Sequence, residues 1–238
     1  MKAWYLYHSG FAVETAAHFL VFDYWRDTPA GGGLAAGVLR PEALPREKQP
    51  VVFVSHAHHD HFNPVIFSWA GRRPDIQYVL ADGLPGGPGA RIRPGQRLAV
   101  AGLEVLALPS TDQGVAFAVT CDGQRIYHAG DLNWWHWNGE SAAWNGGMAR
   151  DYPAALAPLA GKPAGLAFVP VDPRLEDKEL WGLDYFMRHV GARWVAPMHF
   201  WEDTGIFRRI QQADCTRPYR AQVLGPFGRG EQLLPQKP

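Results

Sequence analysis

The stretch SHAHHDHFNP, residues 55–64, follows the apolar run VVFV at 51–54 and places four histidines and one aspartate in six consecutive positions. Side chains of an extended chain alternate in direction, so His56, His58 and Asp60 can point to one side while His61 reaches a second position at the turn. Imidazole and carboxylate ligands together favour zinc, manganese or iron over calcium and magnesium. We therefore expect a metal site, with two ions within reach of one loop. A histidine-rich surface loop is the alternative, but the tract lies inside the chain, between a predicted strand and a predicted helix.

Apolar and alternating patterns predict that the first half of the chain is mostly short strands. The predicted strands cover 4–8, 11–14, 19–22, 51–55, 76–80, 97–100, 103–108, 115–120 and 124–128. Asn63 and Pro64 are typical of a helix start and predict a helix over 65–70. The later half alternates, with helices predicted near 154–160 and 177–190 and strands at 166–169 and 194–198. The glycine-rich segment 28–37 is predicted to be a mobile flap beside the site.

The composition favours one domain covering residues 1–238 and a small-molecule substrate. With 23 basic and 23 acidic residues, the chain carries no broad charge that would attract nucleic acid or an anionic membrane. No segment has the roughly 18 apolar residues that a bilayer crossing requires, and the N-terminus does not resemble a secretion signal. We expect a cytoplasmic protein whose two cysteines, Cys121 and Cys215, form no disulfide. Its oligomeric state is open.

Two more strand ends carry metal-binding side chains. The predicted strand 124–128 leads into Gly130-Asp131, where the carboxylate can place one oxygen near each of two metals. The predicted strand 194–198 is followed by His199. Because open sheets bind ligands at the carboxyl ends of their strands, we expect Asp131 and His199 to join the histidine-rich loop. A simple turn at Asp131 and a core histidine at position 199 are the alternatives.

The motif His-x-His-x-Asp-His at 56–61, the later Gly-Asp at 130–131 and the late His199 together resemble the metallo-β-lactamase fold superfamily over nearly the whole chain. The segments 8–11, 22–23 and 128–131 are similar to the branch that includes ascorbate-6-phosphate lactonase-like proteins. The resemblance implies an α+β fold, a four-layer αββα sandwich of two mixed sheets packed face to face with helices on both outer faces. It also implies two divalent metal ions, with zinc expected first and manganese or iron as alternatives.

The resemblance also implies a distribution of ligands. His56 and His58 would bind the first metal, Asp60, His61 and His199 the second, and Asp131 would bridge the two.

One departure concerns the first metal, for which the superfamily pattern has a further histidine before the Gly-Asp motif. This chain has no histidine between His61 and His128. The corresponding strand end contains Asp112, which could supply an oxygen ligand, while Ser110 or Thr111 could hold a water there instead. An oxygen ligand would favour manganese or iron more than three histidines do, or would leave a single metal bound.

Other residues near these motifs are candidates for a substrate pocket. His8 could approach from the first strand turn, and Ser110 lies beside Asp112. Trp134 and His136 belong to an aromatic segment that could form one wall of the pocket, or simply shield the metals. His128 could support the ligands through a hydrogen bond. His59 is expected to point away from the metals, and His18 and His189 are expected to be structural.

The expected chemistry is hydrolysis of an ester, lactone, amide or phosphoester bond by a metal-bound hydroxide. Asp60 would act as the catalytic residue that orients this hydroxide or accepts its proton. A serine hydrolase is disfavoured because no Gly-x-Ser-x-Gly motif is present. The alternatives are a phosphodiesterase or nuclease of the same fold, which would need a basic groove, an iron-containing redox protein, and a metal-binding protein without activity.

Overall fold

Two six-stranded β-sheets form the centre of the molecule, in a computed structural model that describes residues 1–234. The first sheet contains β1 (Lys2–Tyr7), β2 (Gly10–Glu14), β3 (His18–Phe22), β4 (Gln49–Val54), β5 (Gln77–Ala81) and β6 (Ala90–Ile92). The second contains β7 (Arg97–Val100), β8 (Leu103–Pro109), β9 (Val115–Cys121), β10 (Gln124–His128), β11 (Ala164–Pro170) and β12 (Ala192–Met198). Within each sheet, strands that follow one another in the sequence are neighbours.

Both sheets begin with antiparallel strands and end with parallel ones. β1, β2 and β3 pair antiparallel, and β3 to β6 pair parallel. In the second sheet β7 to β10 are antiparallel, and β10, β11 and β12 are parallel. Parallel strands end at the same edge of their sheet, so β3 and β4 in one sheet and β10, β11 and β12 in the other each direct their following loops to a common edge.

The inner faces of the two sheets are joined by fully buried aromatic rings. Phe53 of β4 stacks on Phe22 of β3 at 4.8 Å between ring centroids and meets Phe117 of β9 edge-on at 5.3 Å. Phe11 of β2 stacks on Phe168 of β11 at 4.1 Å. One cluster of buried side chains therefore runs through both sheets. The uninterrupted apolar runs of β3, β4 and β11 are explained by this burial on both faces.

In the described part of the chain, four α-helices complete the layers: α1 (Val65–Ser68), α2 (Ala142–Leu156), α3 (Trp181–His189) and α4 (Gly205–Gln212). α2 contacts β8 and α3 contacts β11, on the outside of the second sheet. α1 lies against the first sheet, where the Tyr78 hydroxyl donates to the Ile66 carbonyl at 2.7 Å. The predicted four-layer αββα sandwich is confirmed. No helix within residues 1–234 combines the length and apolar character needed to cross a bilayer.

The sequence prediction differs from the structure mainly in the helices. α2 begins at Ala142, twelve residues earlier than predicted, and Ser141 caps it by accepting a hydrogen bond from Trp144 N at 3.2 Å. Gly146, Gly147 and Pro153 are poor helix formers, which explains the missed turns. The helix predicted over 177–190 is instead a 3₁₀ segment, Pro173–Lys178, followed by α3. The sequence analysis did not predict β6 or α4.

The glycine-rich segment 28–37 is bound to the rest of the protein by Arg229. This side chain donates to the carbonyl oxygens of Leu6, Arg26, Thr28 and Gly37. Its guanidinium fixes both ends of the segment, and the cavity described below is not lined by residues of this segment. The structure therefore gives no support to a flap beside the site.

Both cysteines are free thiols, as predicted. Cys121 is buried, and its burial raises the thiol pKa to about 11. Cys215 is partly exposed.

Candidate metal centre

Five loops meet where the carboxyl ends of the parallel strands come together. Asp23 follows β3, His56 follows β4, Asp131 follows β10, Asp172 follows β11 and His199 follows β12. All five side chains are buried, with at most 4% of each residue exposed. The centre is thus formed where the two sheets meet, by residues that the topology brings to one edge.

Three histidines converge on the carboxylate of Asp131. Its Oδ2 lies 3.3 Å from Nε2 of His56, while its Oδ1 lies 3.1 Å from Nε2 of His61 and 3.4 Å from Nε2 of His199. The carboxylate therefore reaches ligands expected for both metals, as a bridging residue would. His56 and His61 come from the histidine-rich loop, whereas His199 comes from the other sheet.

Each of these histidines also forms a hydrogen bond through Nδ1, its other ring nitrogen. His61 lies 2.8 Å from Asp23 Oδ2, and His199 lies 2.8 Å from Asp172 Oδ2. A carboxylate only accepts hydrogen bonds, so both Nδ1 atoms donate, and in the neutral imidazole each Nε2 keeps its lone pair for a cation. His56 reaches the same state through Ser55, whose hydroxyl donates to Asp23 at 2.6 Å and accepts from His56 Nδ1 at 2.9 Å. Histidines that bind metals typically donate a hydrogen bond from the other ring nitrogen in this way.

The potential ligands form three overlapping groups, in each of which the donor atoms lie within 4.8 Å of one another. These groups are His8 with Asp60, His61 and His199; His56 with His61 and Asp131; and His58 with Asp112 and Asp131. Every residue predicted as a ligand belongs to at least one group. Asp131 belongs to two of them, and His61 also belongs to two, so adjacent groups share a side chain.

Asp112 lies close enough to His58 and Asp131 for the three side chains to share one metal ion. The hydroxyls of Ser110 and Thr111, which were the alternatives to Asp112 at this strand end, have other partners. Thr111 donates to the carbonyl of Asn133 at 2.6 Å, and Ser110 accepts from the backbone N–H of Asp112 at 3.2 Å. The third group therefore offers one imidazole and two carboxylates.

The donor atoms fit a metal because several are buried without any hydrogen-bond partner. They include Nε2 of His56 and of His61 and Oδ1 of Asp131. Burying such atoms unpaired is costly, whereas a cation satisfies all of them together. Burial disfavours charge on His61, but the carboxylates of Asp131 and Asp23 outweigh it and raise the His61 pKa to about 10. The surroundings thus strongly favour positive charge at this point.

His8 is not part of a pocket wall, contrary to the sequence prediction. It is fully buried, its Nε2 lies 3.3 Å from Asp60 Oδ2, and its ring centroid lies 4.1 Å from that of His199. Burial lowers the His8 pKa to about 4, despite the opposing effect of Asp60. The turn after β1 brings the ring under the loops and beside the second predicted metal position.

The backbone at this edge is conformationally unusual. His8, Asp23 and His199 have φ angles of 56°, 44° and 64°, in the left-handed region that non-glycine residues rarely adopt. Such residues cluster at functional sites, where the surrounding structure holds them in place.

Two glycines allow the loops to approach each other. A Cβ at Gly114, whose φ is 70°, would lie 1.9 Å from the Ser55 carbonyl oxygen. A Cβ at Gly130, whose φ is 53°, would lie 2.8 Å from the Ser55 Cβ. The loops that contain Asp112 and Asp131 can therefore pack directly on the base of the histidine-rich loop only because glycine occupies both positions.

A cavity of about 510 Å³ opens above the ligands. It is lined by His58, His59, Asp60, Thr111, Asp112, Asp131, Trp135, Trp137, Trp144, Arg174, His199 and Trp201. Its outer wall is therefore rich in tryptophan and carries one arginine.

Of the predicted pocket residues, Ser110, Trp134 and His136 do not belong to this lining. Trp134 packs against Trp181 and Tyr185 on the outer helix layer, and His136 lies against Trp181 at 4.8 Å. The aromatic segment does form a wall, but through Trp135 and Trp137. The alternation of side chains turns the neighbouring residues away.

The remaining histidines have structural surroundings or are exposed. His59 has 87% of its side chain exposed and borders the cavity, with its Nδ1 3.9 Å from Oδ1 of Asp60. His128 accepts from Gly130 N at 3.1 Å through Nδ1 and donates to the Ser9 carbonyl at 2.8 Å. His18 pairs with Asp122 at the opposite edge, and His189 stacks on Tyr185.

Asp172 and Arg174 are functional candidates that the sequence analysis missed. Both follow the apolar strand β11, and an acidic residue directly after such a strand was the signal that pointed to Asp131. Asp172 is fully buried and holds His199, while Arg174 holds Asp172 and borders the cavity.

Comparison with known proteins relates the chain to a group of metal-binding enzymes. The chain is 32% identical over 151 residues to a UPF0173 metal-dependent hydrolase of Opitutus terrae, a match that covers 55% of this chain and 63% of that relative. The matched part thus spans less than two thirds of the relative's length.

Solved structures show the same fold. Igni18, a metallo hydrolase of Ignicoccus hospitalis, is similar with a TM-score of 0.62 at 19% identity, covering 99% of each chain. CmlA, a diiron β-hydroxylase of Streptomyces venezuelae, has a TM-score of 0.55 at 12% identity, over 83% of this chain and 44% of that one.

A family comparison matches residues 3–138, more than half of the chain, to the "Beta-lactamase superfamily domain". This segment contains the histidine-rich loop and Asp131. The chain therefore belongs to the β-lactamase superfamily.

Proposed function

We propose that this protein is a metal-dependent hydrolase that cleaves an ester, lactone, amide or phosphoester bond in a small molecule. The observation that carries the proposal is the convergence of His56, His61 and His199 on Asp131, with each imidazole fixed by a hydrogen bond from Nδ1. Imidazoles that are held by hydrogen bonds at Nδ1, and whose Nε2 atoms meet at one carboxylate, favour a metal site. A cavity opens on the same residues, which favours a hydrolytic centre over a purely structural one.

The proposed centre is dinuclear. His56, His58 and Asp112 would hold the first metal and Asp60, His61 and His199 the second, with Asp131 shared. The group of His58, Asp112 and Asp131 supports the first position, and the group of His8, Asp60, His61 and His199 supports the second. Zinc is the expected metal, with manganese or iron as alternatives.

Metal ions bound here would lower the pKa of a coordinated water and polarise the bond to be cleaved. Asp60 would orient the attacking water as an ionised carboxylate, because the pKa of this carboxyl is held well below its usual range. The same low pKa makes it a weak base, so it would accept a proton only from a water already made acidic at the centre. Burial alone would raise that pKa, but His8 and His61 outweigh it. The tryptophan wall would exclude bulk water and position the substrate.

The first test is metal content by elemental mass spectrometry on protein purified without chelators or a histidine tag. Asp112→Ala is compared with Asp151→Ala, which removes an exposed carboxylate of α2. We expect about two metals in the wild type and the control and one in Asp112→Ala. A single metal in all three proteins would remove Asp112 from the site and contradict the dinuclear centre.

Activity is tested with 4-nitrophenyl esters, a lactone and bis(4-nitrophenyl) phosphate. Asp60→Asn should reduce kcat by at least 100-fold on whichever substrate is cleaved, since proton transfer by a positioned side chain contributes about 10²–10⁴-fold. Metal content measured on the same sample separates lost chemistry from lost metal. Full activity in Asp60→Asn would contradict the role given to this carboxylate.

Iron-dependent redox chemistry is the second candidate. The group of His58, Asp112 and Asp131 contains two carboxylates, a donor set that suits iron or manganese better than a three-histidine site does. Bound iron with a visible absorption band and oxygen consumption, without hydrolysis of the panel, would favour this candidate over the hydrolase.

A further inference from the structure

Arg174 has an unusually fixed guanidinium for a side chain that is 52% exposed. Its Nε donates to Asp172 Oδ1 at 2.9 Å, and its Nη2 donates to Asp172 Oδ2 at 2.5 Å. Asp172 itself is fully buried and also accepts from His199. Arg174 is therefore attached to the metal centre through one carboxylate.

Two indole rings hold the guanidinium on its other sides. The Arg174 Cζ lies 5.6 Å from the ring centroid of Trp137 and 5.5 Å from that of Trp201. Cation–π contacts of this kind restrict the orientation of the guanidinium. Because the side chain is already ordered, binding a ligand costs less conformational entropy than at a free surface arginine.

One edge of the guanidinium remains available. Asp172 occupies one N–H of Nε and one of Nη2, and the hydrogen bonds among residues 1–234 include no acceptor for Nη1. The edge formed by Nη1 and Nη2 can bind a carboxylate through two parallel hydrogen bonds. Arg174 lines the cavity above the metal ligands, where it is the only lysine or arginine of the lining.

We propose that Arg174 determines substrate specificity by binding a carboxylate of the substrate, with Trp137 and Trp201 packing against the adjoining apolar part. The substrate class is thus a small ester, lactone or amide that carries a carboxylate beside the bond to be cleaved. This inference rests on the proposed hydrolase function. A singly charged group fits better than a phosphate dianion, because Asp60, Asp112 and Asp131 line the same cavity.

A purely structural role for Arg174 is the competing explanation. In that case the guanidinium would only hold Asp172, and through it His199. Its loss would then weaken metal binding and slow all substrates alike. A comparison of a negatively charged substrate with a neutral one separates the two explanations.

The kinetic test compares two substrates of similar size on metal-loaded protein, 4-nitrophenyl hydrogen glutarate, which is an anion, and neutral 4-nitrophenyl valerate. The variants are Arg174→Gln, Arg174→Lys and, as a control, Arg188→Gln, which removes an arginine paired with Asp184 outside the cavity. We expect Arg174→Gln to lower kcat/KM for the anionic ester by roughly 10- to 100-fold, mainly through KM, because hydrogen bonds to charged groups have this strength. The neutral ester should lose about 10-fold less than the anionic one, because it loses only the support that Arg174 gives to Asp172, and Arg174→Lys should fall between.

An equal loss for both esters in Arg174→Gln, or no preference for the anion in the wild type, would overturn the proposal. Arg174→Lys keeps the charge and provides the comparison if Arg174→Gln does not fold.

A binding measurement keeps this inference separate from the proposed function. If neither ester is cleaved, the hydrolase proposal fails, and calorimetric titration with phenylacetate and phenylacetamide still decides the role of Arg174. Metal-loaded and metal-free proteins should both bind the acid more tightly than the amide, and Arg174→Gln should remove the difference. A preference that requires metal and persists in Arg174→Gln would show that the carboxylate binds the metals, which contradicts the proposal.

Discussion

The Oδ2 atom of Asp23 lies 2.8 Å from Nδ1 of His61, and both side chains are completely buried. The same carboxylate accepts hydrogen bonds from the backbone N–H of Ser55 at 2.8 Å and from its hydroxyl at 2.6 Å. Because the Ser55 hydroxyl in turn holds His56, Asp23 fixes two histidines at once. It lies behind candidate ligands of both proposed metals.

Asp23→Asn should therefore weaken metal binding at both positions. An amide keeps the shape of the side chain but has one acceptor oxygen instead of two. Its NH2 group must therefore face a donor, either the Ser55 backbone N–H or the Ser55 hydroxyl together with His61 Nδ1. We expect a 10- to 100-fold loss of affinity, the usual effect of altering a residue that orients metal ligands. Competition with a chelating dye measures this loss, with Asp75→Asn as an exposed control. Unchanged affinity in Asp23→Asn would show that the ligands are positioned by other contacts.

His128 links the turn after β1 to the loop after β10, and it should contribute to stability more than to metal binding. His128→Phe keeps a flat ring against Phe22, where the rings now lie 5.0 Å apart. It leaves the Gly130 N–H and the Ser9 carbonyl without partners in a buried region. Since each unsatisfied group costs about 1–3 kcal/mol, we expect the two together to lower the free energy of unfolding by about 2–6 kcal/mol. Denaturant unfolding tests this, with exposed His189→Phe as the control; equal stability of the two variants would contradict it.

The strands and the convergence of the candidate metal ligands were largely predictable from the sequence, for a common physical reason. Apolar runs such as 51–54 are buried on both faces, and an unusual polar residue directly after such a run lies at the sheet edge. On this basis the sequence correctly predicted that Asp131 and His199 lie beside the histidine-rich loop, although they are distant from it in the sequence.

Residues that act through hydrogen bonds to the ligands were harder to predict. A single acidic residue such as Asp172 after a strand is also typical of a turn, and only the three-dimensional structure shows that it meets His199. The buried position of His8 depends on how the turn after β1 packs beneath other loops. Neither contact is encoded in a local pattern.

Gly114 and Gly123 provide a test of how closely the loops must approach. Both have positive φ angles, 70° and 73°, but a Cβ would meet the Ser55 carbonyl at 1.9 Å in the first case and nothing within 4 Å in the second. Gly123→Ala should cost only the backbone strain of about 1–2 kcal/mol. Gly114→Ala should cost about 3 kcal/mol or more, because the loop that carries Asp112 must move away from the histidine-rich loop.

Melting temperature and metal content measured on both alanine variants decide this comparison. We expect Gly114→Ala, but not Gly123→Ala, to lose metal. Similar melting temperatures and full metal content in both would mean that the loop can shift without consequence.

Asp122 connects the two sheets at the edge opposite the metal centre, and it should make stability depend on pH. Its Oδ2 accepts from the Thr15 hydroxyl at 2.6 Å and from Ala17 N at 2.7 Å, and His18 Nδ1 lies 3.1 Å from Oδ1. Burial raises the Asp122 pKa, but these partners outweigh it and lower the pKa from 3.8 to about 2. The folded protein therefore keeps Asp122 ionised at a pH where the unfolded chain has begun to bind a proton.

The stabilisation by Asp122 should be complete above pH 3.8 and disappear as the pH falls through about 2. Asp122→Asn should thus be less stable than the wild type at pH 7 and pH 5, and the difference in the free energy of unfolding should shrink below pH 4. Denaturant unfolding across this range measures the difference, with Glu104→Gln as a control at an exposed carboxylate of β8. A difference that stays constant from pH 7 to pH 2.5 would mean that the hydrogen bonds to Asp122 stabilise the fold without any preference for its ionised form.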